Sequence, residues 1–150
     1  MKQILVEASH VIPAEAETIY GVLADYREGH PAILPQPYFR ELVVEKGGRG
    51  AGTVVRVHME VLGVEQHYRM LVSEPEPGRV LVEHDPEAGV TTTFTVAPLN
   101  GGERSLVTIA TASRPNPGLR GVIERLVNPP VARRIYKQEL RQLAEYVGRQ

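Results

Sequence analysis

Alternating apolar and polar positions dominate this chain from about residue 38 to residue 113, after which apolar residues recur every three or four positions. Period two distributes side chains over the two faces of a strand, whereas spacings of three and four gather them on one face of a helix. Residues 2–12 are predicted to form a first strand, with Ile4, Val6 and Ala8 on one face and Glu7 and Ser9 on the other. Pro13 ends that strand and suits a first helical turn. Ala16, Ile19, Tyr20, Leu23 and Tyr26 then predict a helix over residues 14–25. Gly21 inside it costs about 1 kcal/mol relative to Ala, which implies close packing there. One Gly and three Pro between residues 27 and 37 leave room for a short second helix over residues 30–34.

Residues 39–46 read as a second strand, and the glycines at 47, 48, 50 and 52 as the turn after it. Residues 53–62 and 65–73 read as the arms of a hairpin. Gly63-Val64 as its loop has the chemistry of a type II′ turn, which sets Met59 opposite Tyr68, Glu60 opposite His67 and His58 opposite Arg69. Val55, Val57, Met59 and Val61 then share a face with Gln66, Tyr68, Met70 and Val72. Arg56, His58, Glu60, Glu65, His67 and Arg69 take the wet face. Strands over 79–84, 90–97 and 104–113 follow, with Val90, Thr92, Phe94 and Val96 on one face. The strand over 79–84 fits two orientations: Val80, Val82 and His84 inward, or Leu81 and Glu83 inward.

Asn116-Pro117 signals a helix start, followed at helical spacing by Leu119, Val122, Ile123, Leu126 and Val127. Asn128-Pro129-Pro130 repeats the signal, so a kink or short interruption is expected at 128–130. Beyond it Ala132, Ile135, Tyr136, Leu140, Leu143 and Val147 form a stripe, with Arg133, Arg134, Lys137, Arg141 and Glu145 mostly off it. An antiparallel sheet followed by one long helix buries both apolar surfaces if the sheet curves around the helix. The gap between them is a natural place for a small apolar molecule. The expected class is α+β: a curved seven-stranded antiparallel sheet, a long C-terminal helix, and two short helices after the first strand.

Composition narrows the functions. The chain of 150 residues fits one domain, 1–150, large enough to bury roughly 70% of its unfolded surface. With 42% hydrophobic and 23% charged residues it is ordinary for a soluble globular protein. Lys and Arg number 17 against 18 Asp and Glu, a balance that gives nucleic acid no basic surface. The apolar runs are far too short for an integral membrane segment. Glu7 and His10 interrupt the N-terminal run before it resembles a signal peptide, which leaves a cytoplasmic location as the expectation. The absence of cysteine excludes disulfides, thiolate catalysis and cysteine metal sites.

The order of one strand, two short helices, six strands and a long helix resembles the START-like superfamily, also called the SRPBCC, Bet v 1-like or helix-grip fold. The resemblance covers essentially the whole chain. It is carried by Ile12-Pro13-Ala14 leading into Ile19-Tyr20-Gly21-Val22-Leu23-Ala24-Asp25-Tyr26, and by Glu74-Pro75-Glu76-Pro77-Gly78-Arg79. The chain looks most like the bacterial polyketide cyclase/dehydrase and lipid-transport branch. His30-Pro31-Ala32-Ile33-Leu34-Pro35 is also similar to the coenzyme Q-binding branch. The resemblance implies a lipid, isoprenoid or polyketide-like ligand, or a cyclase or dehydratase acting on one, or a quinone chaperone or protein-interaction module. It does not choose among them.

The residues point to binding more than to catalysis. His58, Glu60 and His67 are expected to meet on the outer face of the hairpin. Without HExxH spacing or supporting partners they read as a Glu60–His67 charge pair, not a metal site. The run Gly47-Gly48-Arg49-Gly50-Ala51-Gly52 lacks the Gly-Lys-Ser/Thr ending and following helix of a phosphate loop. Neither Ser9, Ser73, Ser105 nor Ser113 sits in a Gly-x-Ser-x-Gly elbow. No pair of carboxylates is visible at a pocket, because the acidic residues fall mostly on wet positions or turns. The candidate ligand-binding residues are Val57, Met59, Gln66, Tyr68, Met70, His84, Thr92 and Phe94, with the helix stripe opposite them. Gln66, Tyr68, Thr92 and His84 are polar and need partners if buried; His10, at a strand end, reads as structural. No cofactor is implied.

Overall fold

The computed structural model describes residues 3–114 and 119–149 and, within these, the side chains outside 119–128. The strands are β1 (Ile4–Ile12), β2 (Phe39–Lys46), β3 (Val54–Val61), β4 (Val64–Glu76), β5 (Val80–Asp85), β6 (Val90–Pro98) and β7 (Ser105–Ser113). They form one antiparallel sheet in the order β1-β7-β6-β5-β4-β3-β2. Strands β2 to β7 pair as successive neighbours, and β1 lies beside β7 at one edge. Two short helices, α1 (Ala16–Ala24) and α2 (Gly29–Ile33), connect β1 to β2, and α3 (Leu119–Gly148) closes the chain. This is the curved helix-grip arrangement expected from the sequence. Among the described residues no helix is long and apolar enough to cross a membrane.

The core follows the alternation. Val6 and Ala8 of β1, Phe94 and Val96 of β6, and Val107 and Ile109 of β7 are buried on the concave face. Ile135, Leu140, Leu143 and Val147 of α3 are buried against it. The helix is continuous through Pro129 and Pro130, so of the expected kink or short interruption at 128–130 the interruption is absent. Proline removes a backbone donor, but its fixed φ is compatible with a helix, and the buried stripe beyond it holds that part of the helix in place. The Asn116-Pro117 start signal and the Leu119, Val122, Ile123, Leu126 and Val127 side chains lie outside the described residues.

The hairpin register differs from the expected one. Leu62 and Gly63 form the loop, with φ of 50° and 79°, as a type I′ turn requires. Val57 therefore faces Tyr68, His58 faces His67, Met59 faces Gln66 and Glu60 faces Glu65. The slide amounts to two residues, so every side chain keeps its face; a slide of one would have inverted them all. Charge supports the observed pairing. Arg56 and Arg69 stand opposite each other, and Glu45 of β2 reaches both, at 3.0 Å and 3.2 Å.

The orientation of β5 is settled by β6. Thr92 and Phe94 point inward, and their partners are Glu83 and Leu81. Leu81 is fully buried. Asp85, the next residue on that face, accepts hydrogen bonds from the backbone N–H groups of Arg69, Glu87 and Ala88.

The segments that carry the family resemblance act as struts. Tyr20 donates its hydroxyl to Glu74 Oε2 at 2.7 Å, and Glu74 Oε1 accepts the Ala51 N–H at 2.7 Å, joining α1, the glycine-rich turn and β4. Gly21 is not closely packed, since a Cβ there would meet nothing within 4 Å. Gly29 is the tight position: a Cβ would lie 2.6 Å from the Val22 carbonyl oxygen. Gly29→Ala is expected to push α2 from α1 and lower stability by about 1–3 kcal/mol, read as a lower urea midpoint with unchanged m-value.

Candidate functional site

A cavity of about 290 Å³ lies between the concave face of the sheet and α3, at the small end of the roughly 300–1,000 Å³ typical of ligand pockets. Val57 and Met59 of β3, Met70 of β4, Phe94 of β6 and Ile109 of β7 form its apolar wall. Val131, Ala132 and Ile135 of α3 cover it. Leu62 at the hairpin tip also lines it and is 68% exposed, so the tip stands where the cavity meets solvent.

Three polar groups interrupt the apolar lining. On β4, Tyr68 donates its hydroxyl to Gln66 Oε1 at 2.9 Å. Where α3 crosses β6 and β7, the hydroxyls of Thr92 and Thr111 lie 2.7 Å apart, and that of Thr111 bonds the Tyr136 hydroxyl. Burial raises the Tyr136 pKa above the usual phenol value.

The third group is charged. Tyr26 donates its hydroxyl to Glu83 Oε2 at 2.6 Å, and His30 Nε2 stands 3.6 Å from the same oxygen. The His30 ring is fixed by Nδ1, 2.7 Å from the Leu23 carbonyl. It stacks on Tyr26 at 4.5 Å and meets Phe94 edge-on at 5.3 Å. Its backbone N–H bonds the Asp25 carbonyl, while the Asp25 carboxylate accepts N–H groups from Arg27, Glu28 and Gly29. Glu139 of α3 is 2% exposed and also lines the cavity. Its carboxyl makes no hydrogen bond to any described residue. Burial first, and the nearby charge of Glu83 second, raise its pKa well above the usual carboxylate value. Burial and Glu83 raise that of Tyr26 likewise. Burial thus favours the protonated form of one carboxyl while its neighbour accepts a hydrogen bond from a phenol, unlike surroundings of the kind that acid–base chemistry uses.

Of the residues singled out from sequence, Val57, Met59, Gln66, Tyr68, Met70, Thr92 and Phe94 line this cavity. His84 does not. It lies on the convex face, with Nδ1 2.8 Å from the Thr91 hydroxyl, because alternation along β5 sends it opposite to Glu83. The carboxylate pair that the sequence did not reveal is Glu83 with Glu139. Glu139 was legible in principle, since it lies seven residues after Ala132, four after Ile135 and three after Tyr136, on the same stripe. Glu83 was one of two open alternatives, and His30 had no periodic signal.

On the convex face, Glu60 pairs with Arg40 rather than His67. His58 instead stacks on His67 at 4.3 Å, with Nε2 3.3 Å from Glu65 Oε1. His58, Glu65 and His67 therefore cluster, with ligand-type atoms within 4.8 Å of one another, and Glu65 and His67 are exposed to water.

The family described as polyketide cyclase/dehydrase and lipid transport matches residues 3–148. No match exists among curated proteins. Among solved structures, the KanY protein is 26% identical with a TM-score of 0.84, and the alignment covers 99% of each chain. An aromatase/cyclase from Streptomyces sp. R1128 is 20% identical with a TM-score of 0.76, covering 98% of this chain and 94% of that one. A norcoclaurine synthase from Thalictrum flavum is 18% identical with a TM-score of 0.65, covering 98% of this chain and 96% of that one. At these last two identities the likeness is one of fold.

Proposed function

The chain belongs to the polyketide cyclase/dehydrase and lipid transport family, and on that premise we propose that it binds a small hydrophobic or amphipathic molecule between the sheet and α3. The observation that carries this reading is an apolar-walled cavity with a few converging polar groups, Tyr68, Gln66, Tyr136 and Glu139. Apolar walls supply the binding free energy, and the polar groups orient one end of the ligand.

A neutral fluorescent probe, N-phenyl-1-naphthylamine, tests the reading by its emission on titration. Tyr68→Ala is expected to weaken binding by about 1–3 kcal/mol through lost apolar contact. His67→Ala on the convex face is expected to leave it unchanged, with circular dichroism confirming that both variants fold. Undiminished affinity in folded Tyr68→Ala would remove that residue from the site. Loss of binding in His67→Ala would favour a surface interaction.

A cyclase or dehydratase is the second reading, favoured by the Glu83–Glu139 pair. Both reactions move protons to and from carbon and oxygen, and two neighbouring carboxyls in unlike surroundings, one buried and one hydrogen-bonded to Tyr26, are suited to both transfers. Positioning of a reactive chain in the cavity would supply much of the rate.

A further inference from the structure

We infer that the cavity selects an uncharged ligand bearing a hydrogen-bond-accepting oxygen, such as a ketone or ester, over a carboxylate of the same shape, with Glu139 as donor and Glu83 as the repelling charge. The inference rests on the cavity reading above and goes beyond it by fixing the chemistry of the ligand's polar end.

Among the described lining residues there is no Lys or Arg. The polar groups facing the space are His30 from α2, Gln66 and Tyr68 from β4, Glu83 from β5, Thr92 from β6, Thr111 and Ser113 from β7, and Tyr136 and Glu139 from α3. Of these, only His30 can become a cation. Its Nδ1 is taken by the Leu23 carbonyl and its Nε2 is turned to Glu83. An entering anion would lose its hydration, gain no cation and stand near a carboxylate, which is unfavourable on every count. An entering carbonyl meets the opposite situation. Burial and the charge of Glu83 favour the protonated form of the Glu139 carboxyl, which has one O–H to give. The residue is 2% exposed, and its carboxyl makes no hydrogen bond to a described residue. The carboxyl opens on the cavity, where its O–H can replace the water hydrogen bond that a ligand oxygen gives up on entering.

Three naphthalenes of one shape separate the terms: 2-acetylnaphthalene, 2-naphthoate and 2-ethylnaphthalene, each displacing N-phenyl-1-naphthylamine at pH 7. The ketone is expected to bind about tenfold or more tighter than the carboxylate, the ratio for one charge-linked hydrogen bond. Glu83→Gln is expected to narrow that ratio severalfold by strengthening naphthoate binding. Glu139→Leu is expected to weaken the ketone about tenfold while leaving the ethyl compound unchanged or tighter. Glu139→Gln keeps a donor and is expected to retain the ketone. Naphthoate binding as tightly as the ketone, or a ketone-to-ethyl ratio unmoved by Glu139→Leu, would overturn the inference while leaving the cavity reading intact. If none of the three displaces the probe, the cavity reading falls and the inference with it.

Discussion

Phe94→Ala is expected to lower the free energy of unfolding by about 3 kcal/mol, near the low end of the 3–5 kcal/mol typical of a buried Phe cut to Ala. The ring is 2% exposed, sits at the centre of β6 between β5 and β7, and meets the His30 edge at 5.3 Å. Its removal forfeits the transfer free energy of the ring and that edge contact. The low end applies because one side of Phe94 already borders the cavity, so truncation enlarges an existing space instead of opening a new one. Urea unfolding followed by circular dichroism gives the value. A loss below 1 kcal/mol would mean that the neighbouring side chains collapse into the gap. Because Phe94 supports His30, the same variant is expected to loosen the Tyr26–Glu83–His30 group, visible as broadened His30 resonances in NMR spectra.

Glu139→Gln is expected to stabilise the protein relative to wild type, increasingly as pH rises from the unfolded carboxylate pKa towards the raised folded one. The sign follows from linkage. In the folded state burial and Glu83 raise the Glu139 pKa, whereas an unfolded Glu titrates near 4.3. Between those two values the folded protein holds a proton that the unfolded chain has released. The stability this group contributes is therefore full below the unfolded pKa and is lost as pH climbs through the folded one. Each pH unit in that window costs wild type about 1.4 kcal/mol relative to a side chain that does not titrate. Gln has nearly the same shape and no proton to lose. Thermal or urea unfolding of both proteins at several pH values gives the difference curve, in which other titrating groups cancel. Parallel curves would show that water reaches the Glu139 carboxyl and holds it in its usual range.

Local chemistry determined most of the fold. Period-two alternation across β3, β4 and β6 marked which side chains face α3, and those faces survived an error in the hairpin register. Turn type decides register through backbone dihedrals, and Leu62 adopting a positive φ is not written in its side chain. The slide was harmless because it was even. The orientation of β5 was not readable alone. Val80, Val82 and His84 compete with Leu81 and Glu83 at equal period, and only pairing with Thr92 and Phe94 on β6 breaks the tie. The continuity of α3 through Pro129 and Pro130 was likewise not readable from the repeated start signal.

The apolar wall of the candidate site was legible for the same reason as the strands, because apolar alternation and concave placement are one fact. Its charged end was not. Carboxylates usually sit in water, so period alone left Glu83 between two orientations and gave Glu139 no role, and only the fold brought Tyr26, His30 and the two carboxyls together. Sequence by itself determined which faces are apolar, since that depends on side-chain period alone. Only tertiary structure decided which polar groups share the enclosed space, because burial and charge coupling are properties of neighbours that lie far apart along the chain.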